Sequence, residues 1–240
     1  MLTKQAVLML LIGACSGFVP EGGAAISLDR TRAIFDGNLK SISLNIANDN
    51  NQLPYLAQAW IENEREEKLT TGPLVATPPV QRLEAGTRSM VRVSSTPDIT
   101  TLPQDRESVF YFNLREIPPR SEKSNVLQIA LQTKIKVFYR PAAIKAAPNA
   151  IWQDQVVLNK VAGGYRIENP TPYYVTLIGL GGSEKSAKEG KFDAVMLAPK
   201  SQQVVKSDNY ASPWLSWIDD YGGRPVRQFQ CAAQRCTVVN

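Results

Sequence analysis

Residues 127–137 read LQIALQTKIKV, and their alternation decides the fold class. Leu127, Ile129, Leu131, Ile135 and Val137 share one parity, and Gln128, Ala130, Gln132, Lys134 and Lys136 share the other. Successive side chains leave a β-strand on opposite faces, so the spacing predicts one strand over the whole stretch. Such a strand is long against an average of ~5–6 residues, and at ~3.3 Å per residue it spans about 35 Å. Two readings stand open. The strand is half-buried with its aliphatic face in its own core, or part of it lies at an edge and offers backbone and large apolar side chains to another chain. A long apolar edge is a pairing hazard that must be covered or used, and use means adding a strand to another sheet.

Period two recurs outward from this stretch, in Ile42-Leu44-Ile46, Phe110-Phe112-Leu114 and Val175-Leu177. Turn formers separate the runs: Asp36-Gly37, Asn48 to Asn51, Gly163-Gly164, Asn169-Pro170 and Gly222-Gly223. No run of ten or more residues has a convincing helical period. Many short strands between turns predict antiparallel β-sandwiches. At 140–149 (RPAAIKAAPN), Pro141 and Pro148 bracket small residues and the alternation lapses. This reads as a linker between two domains of roughly 120 and 90 residues, each near the ~100 residues of an immunoglobulin-like sandwich.

Composition narrows the chemistry. The 240 residues are 43% hydrophobic and 20% charged, which predicts a packed core rather than a disordered chain. There is no His, which removes Ser-His-Asp and Cys-His nucleophile systems and HExxH zinc sites. The formal charge of +5 is mild and the Lys and Arg are scattered, so no nucleic-acid partner is expected. No GxxxxGK[ST] loop occurs, and neither a metal nor any other cofactor is expected.

Residues 1–24 read as a secretory signal: Lys4, an apolar stretch from Ala6 to Ile12 and on to Phe18, then Pro20 before Gly22-Gly23-Ala24. The stretch is short for a membrane span of ~20 apolar residues. An alternative is that Ile12-Gly13-Ala14-Cys15 is a lipoprotein box, leaving Cys15 lipidated. With cleavage after Ala24, Cys231 and Cys236 remain as an even pair in an oxidising space. They are then expected to form a disulfide across a C-terminal hairpin in FQCAAQRCTVV, worth roughly 2 kcal/mol for so short a loop. A two-Cys metal site is the lesser alternative.

Several long segments carry a family resemblance: SLDRTRAIFDG at 27–37, NDNNQLPYLAQAWIENE at 48–64, LPQDRESVFYFNLREIPPR at 102–120, LQIALQTKIKVFYRP at 127–141, IENPTPYYV at 167–175, and the Cys pair. From Ala25 onward the chain resembles the periplasmic pilus chaperones of the chaperone–usher pathway. The resemblance implies an all-β fold of two immunoglobulin-like β-sandwich domains, 25–145 and 146–240, arranged as a boomerang with a cleft between them. It implies donor-strand complementation, in which a pilus subunit lacking its last strand borrows the strand of 127–137, with Leu127, Ile129 and Leu131 as the donated side chains. Arg32 and Lys136 are implied as the anchor for the subunit's terminal carboxylate, and Glu107, Arg140 and Asp220 as charged links between the domains. Leu56, Val80 and Arg92 are candidates for docking on the outer-membrane usher. The implied partners are pilins, adhesin and usher, with self-association when unoccupied. The lack of Cys in the first domain and the brief segment between Pro119 and Leu127 resemble the short-loop branch that serves rod-forming pili.

From the residues alone, Arg32 and Lys136 are equally ordinary solvated charges, Glu107 and Asp220 surface ion pairs, and the three docking candidates scattered surface residues. An exported adhesin or carbohydrate-binding protein, using loop aromatics such as Trp214 and Trp217, is the rival function; those Trp also read as core anchors. Hydrolysis by Asp219-Asp220 is disfavoured, because neighbours on a strand face opposite ways.

Overall fold

The structure, a computed structural model, describes residues 24–121, 125–147 and 150–239. The expected export signal, Cys15 included, falls outside these residues apart from Ala24, and so does Pro148 of the linker.

Nine strands build the first sandwich: β1 (Ile26–Leu28), β2 (Arg32–Asp36), β3 (Ser41–Asn48), β4 (Tyr55–Glu62), β5 (Leu74–Thr77), β6 (Val80–Leu83), β7 (Arg88–Ser95), β8 (Ser108–Ile117) and β9 (Gln132–Arg140). They form two sheets, in the orders β1-β3-β7-β5 and β2-β9-β8-β4-β6. The period-two pattern supplies the layer between them. Leu44, Ile46, Val91 and Val93 of one sheet are buried with Phe110, Phe112, Leu114, Ile135 and Val137 of the other. Each such side chain contributes ~1.5–3 kcal/mol on full burial.

Two features depart from the sequence reading. The first is a parallel pair. After β1 joins β3, the chain crosses to the other sheet and β2 runs parallel to β9, with Arg32 opposite Lys136. The second is the length of the strand in 127–137. The ladder with β8 begins at Gln132, opposite Arg115, and continues to Arg140. Its upstream limit is the Glu116 N–H, which donates to the Leu131 carbonyl at 3.0 Å. Beyond Ile117 the partner strand runs into Pro118 and Pro119, which have no N–H to donate, so 127–130 join no strand. Leu127 (85% exposed), Ile129 (62%) and Leu131 (41%) therefore face solvent. The half-buried reading holds for Ile135 and Val137 and fails for the three aliphatics before them.

The second sandwich contains β10 (Val157–Val161), β11 (Gly164–Asn169), β12 (Val175–Gly181), β13 (Val195–Leu197), β14 (Ser201–Lys206), β15 (Trp214–Ile218), β16 (Val226–Ala232) and β17 (Arg235–Val238). Its strand order is β13-β12-β15-β16-β17-β10-β11-β14. Strand β16 serves both faces, pairing with β15 through Gln228 and with β17 from Phe229 onward. A single six-residue helix, α1 (Glu184–Glu189), is capped by Ser183 and is the one α-helix among the described residues. Trp217 is buried in this core and Trp214 is half-buried on the same strand, so neither is a loop aromatic. Asp219 and Asp220 lie in the turn after β15, not on a strand.

The two sandwiches close their turns by the same device. Asn48 donates to the carbonyls of Leu53 and Glu84, and Asn169 to those of Tyr173 and Ala198, so each buried amide satisfies backbone groups that no ladder reaches. Cys231 and Cys236 face each other across the β16–β17 hairpin and form the expected disulfide.

Candidate functional site

Side chains from both sandwiches converge on a cleft of about 460 Å³ lined by Thr31, Arg32, Glu66, Tyr111, Lys134, Ile135, Lys136, Ile218, Gly222 and Arg224. Arg32 and Lys136 are side by side in it because the β2–β9 pairing makes them direct partners. Like charges opposite each other on one sheet face repel, so this adjacency is unfavourable in the empty protein. Burial pushes the Lys136 ammonium below its usual value, and the Arg32 charge pushes it further. Burial also lowers Arg32, against the opposing pull of Asp220, Asp219 and Glu107.

The hydrogen-bonding capacity of the pair is largely unspent. One Arg32 terminal nitrogen donates to the Ile218 carbonyl at 3.2 Å, while its Nε is buried with no acceptor. Among the described residues the Lys136 ammonium forms no hydrogen bond or ion pair. Lys134, two residues earlier, is neutralised by Glu62 and Glu66, each at 2.8 Å. An anion entering the cleft thus meets two partly desolvated donors with little competition. A carboxylate suits them, since Arg can engage it through two parallel donors and Lys adds a compact charge.

Upstream of this pair the sheet edge is open. Strand β2 covers β9 only from Lys136 onward, so the stretch leading back through Leu131, Ile129 and Leu127 has its outer edge uncovered. A visiting strand laid there ends against the first residue of β2. If its carboxyl end meets Arg32 and Lys136, it runs parallel to β9 and continues the direction of β2.

Glu107, Arg140 and Asp220 do come together. Arg140, the last residue of β9, donates Nε to Glu107 at 2.7 Å and its two terminal nitrogens to Asp220 at 2.8 and 3.2 Å. Its guanidinium packs against the paired rings of Trp152 and Tyr173, 4.9 and 5.0 Å from their centroids, which are themselves 4.5 Å apart. The second carboxylate oxygen of Glu107 accepts from the Tyr174 N–H at 2.8 Å, and the Glu107 N–H donates to the Pro172 carbonyl at 2.9 Å. One buried Arg therefore ties the first sandwich to the second through two carboxylates.

Burial pushes the Glu107 carboxyl up to about 7, although Arg140 and the Tyr174 N–H favour its charged form. A carboxyl raised in the folded state contributes most below its unfolded value near 4.5, and that contribution is lost as pH rises through about 7. Relative to Glu107→Gln, the wild-type protein is expected to lose up to about 3 kcal/mol between those limits. Urea unfolding of both proteins across that range measures it, and parallel curves would refute it.

The docking candidates are only partly united. Leu56 on β4 and Val80 on β6 are exposed on one outer face, where Leu56 pairs with Arg82 and Val80 with Gln58. Arg92 is exposed on β7, in the other sheet.

Several residues of the site escaped the sequence reading. Glu116 is buried and holds two termini at once, accepting from Ile26 N–H at 2.9 Å and Leu131 N–H at 3.4 Å. Its signal was parity: it continues the inward phase of Phe110, Phe112 and Leu114. Trp152, Tyr173, the Ile218 carbonyl and Arg224 carried no comparable mark.

The family model for pili and flagellar-assembly chaperones, PapD N-terminal domain, matches residues 25–145, and that for the pili assembly chaperone PapD C-terminal domain matches residues 151–229. The chain belongs to the PapD family of pili assembly chaperones. It is 72% identical over 230 residues to the chaperone protein PapD of Escherichia coli, covering 95% of this chain and 96% of that one. Among solved structures it resembles the periplasmic chaperone SfaE, with a TM-score of 0.69 at 28% identity over 85% of this chain and 97% of that one. A chain of the Salmonella enterica SafA pilin–SafB chaperone complex gives 0.73 at 22% identity, over 87% and 97%, a likeness of fold. The two sandwiches and their cleft are thus the PapD-family architecture.

Proposed function

We infer that this protein is a periplasmic chaperone that folds and caps pilus subunits, pilins and adhesin alike, by donor-strand complementation and passes them to the outer-membrane usher. The observation that carries the reading is the solvent-facing row Leu127, Ile129 and Leu131 in the unpaired segment that runs into the uncovered edge of β9 and on to the Arg32–Lys136 pair. A subunit lacking its last strand exposes core residues and an open ladder. A borrowed strand with three large aliphatics repairs both defects, and the two cations hold the subunit's carboxylate so that the register cannot slip. Release follows when a neighbouring subunit's extension replaces the lent strand, which needs no nucleotide and no catalysed bond change.

The remaining assignments complete this reading. Residues 1–24 are the export signal, 25–145 the strand-lending domain and 146–240 the second domain. Glu107, Arg140 and Asp220 set the angle between the domains. Leu56 and Val80 on one outer face, with Arg92 on the other sheet, are the usher-docking residues, and unoccupied molecules self-associate through the exposed segment of Leu127, Ile129 and Leu131. Carbohydrate binding is not favoured, because Trp217 is buried in the core rather than presented for stacking.

Ile129→Ala tests the reading. Losing most of a side chain that becomes buried only in the complex is expected to weaken subunit capture roughly tenfold. Because Ile129 is exposed in the free protein, its own stability should move by less than about 0.5 kcal/mol. Subunit retained through a salt wash, and subunit aggregation after co-expression, read the first effect. Unchanged capture would remove the lent strand from the mechanism.

A further inference from the structure

Besides the anchor pair and the neutralised Lys134, the cleft is lined by a fourth cation that the carboxylate anchor does not use. Arg224 comes from the second sandwich, lines the same cleft as Arg32 and Lys136, and among the described residues makes no hydrogen bond or ion pair. The acids around it are engaged. Glu66 is bound to Lys134 and Asp220 to Arg140, while Asp219 Oδ1 accepts the N–H groups of Tyr221 and Gly223 at 2.9 and 2.7 Å. With Lys134 balanced by Glu66, the lining keeps Arg32, Lys136 and Arg224 as excess positive charge.

The turn that presents Arg224 is fixed against the anchor. Asp219 closes it through its carboxylate and through its own N–H, which donates to the Gly223 carbonyl at 3.0 Å. Gly222 has φ of +85°, a conformation that favours glycine, and a Cβ there would lie 3.1 Å from Thr31 Oγ1. Thr31 precedes Arg32, and Arg32 itself donates to Ile218, the residue just before the turn. The second sandwich therefore orients one anchor cation and contributes another to the lining of the same cleft.

We propose that Arg224 is a further carboxylate-binding residue, so that the terminal carboxylate of a bound chain is held by cations from both sandwiches at once. This rests on the reading of the cleft given above. The ligand class is an extended peptide with a free carboxyl end, and its affinity then depends on the relative position of the two sandwiches as well as on β2 and β9.

The test uses the mature protein and a synthetic fluorescein-labelled peptide of about fourteen residues, alternating valine with serine and threonine, with either a free acid or an amide at its carboxyl end. Anisotropy gives the acid-to-amide affinity ratio for wild type, Arg32→Ala, Arg224→Ala and Arg224→Lys. Arg224→Ala should lower that ratio about fivefold by weakening the acid peptide alone, with Arg224→Lys restoring part of it. A ratio unchanged in Arg224→Ala, or equal weakening of both peptides, overturns the assignment while leaving Arg32 and Lys136 as the anchor. If wild type binds acid and amide equally, the anchor reading falls and this inference falls with it.

Discussion

Replacing Lys136 by alanine is expected to weaken subunit capture by about 10- to 100-fold, and replacing Arg32 as well to abolish it, while the chaperone itself stays folded. A charge-assisted hydrogen bond to a carboxylate contributes about 1.5–3 kcal/mol, and both cations are partly desolvated before the client arrives, so little of that gain is spent on stripping water. The free protein should not suffer. The Lys136 ammonium makes no hydrogen bond or ion pair among the described residues and faces a like charge across the β2–β9 ladder, so its removal relieves repulsion. The melting temperature of Lys136→Ala should equal or exceed that of wild type even as co-expressed subunit is lost to aggregation and proteolysis. Variants that protect a subunit as well as wild type would show that the carboxylate is held elsewhere.

Arg140→Ala is expected to carry the largest cost to the protein itself. The guanidinium satisfies the Glu107 and Asp220 carboxylates and packs against a pair of aromatic rings. Removing one partner of a buried pair leaves the other charge uncompensated, at about 3–5 kcal/mol. The loss should depend on pH. Without Arg140, Glu107 becomes easier to protonate and escapes most of the penalty once it takes a proton, so destabilisation should be greater at pH 8 than at pH 5. Denaturant midpoints at the two pH values measure this. A cost below about 1 kcal/mol at both would reduce the cluster to an ordinary surface pairing.

The fold class was legible because a packed sandwich imposes period two on every buried strand, and the runs at 42–46, 110–114 and 175–177 carry it openly. The Cys pair was legible because both residues sit on one short hairpin. The extent of the strand in 127–137 was misread because alternation records which side chains share a face, not whether a partner backbone exists. The partner runs out at Pro118, and Leu127, Ile129 and Leu131 are left in solvent. Arg32 and Lys136 showed no local sign of meeting, since a parallel pair between the second and ninth strands leaves no mark on either segment alone. Resemblance to known relatives supplied that pairing, as it supplied the cluster at Arg140.

Sequence alone determined what repeats along the chain: two sandwiches of alternating strands, a break near 140–149, no histidine chemistry and a terminal hairpin clip. Each of these depends on neighbours in the chain, whose relative facing is set by backbone geometry. Tertiary structure alone decided where unpaired groups accumulate. It brought two cations from distant strands into one cleft, added Arg224 of the second sandwich to the lining of that cleft, and ended the β8 ladder in time to leave three aliphatics uncovered. Those outcomes come from through-space pairing and from where partners stop, which no local periodicity encodes.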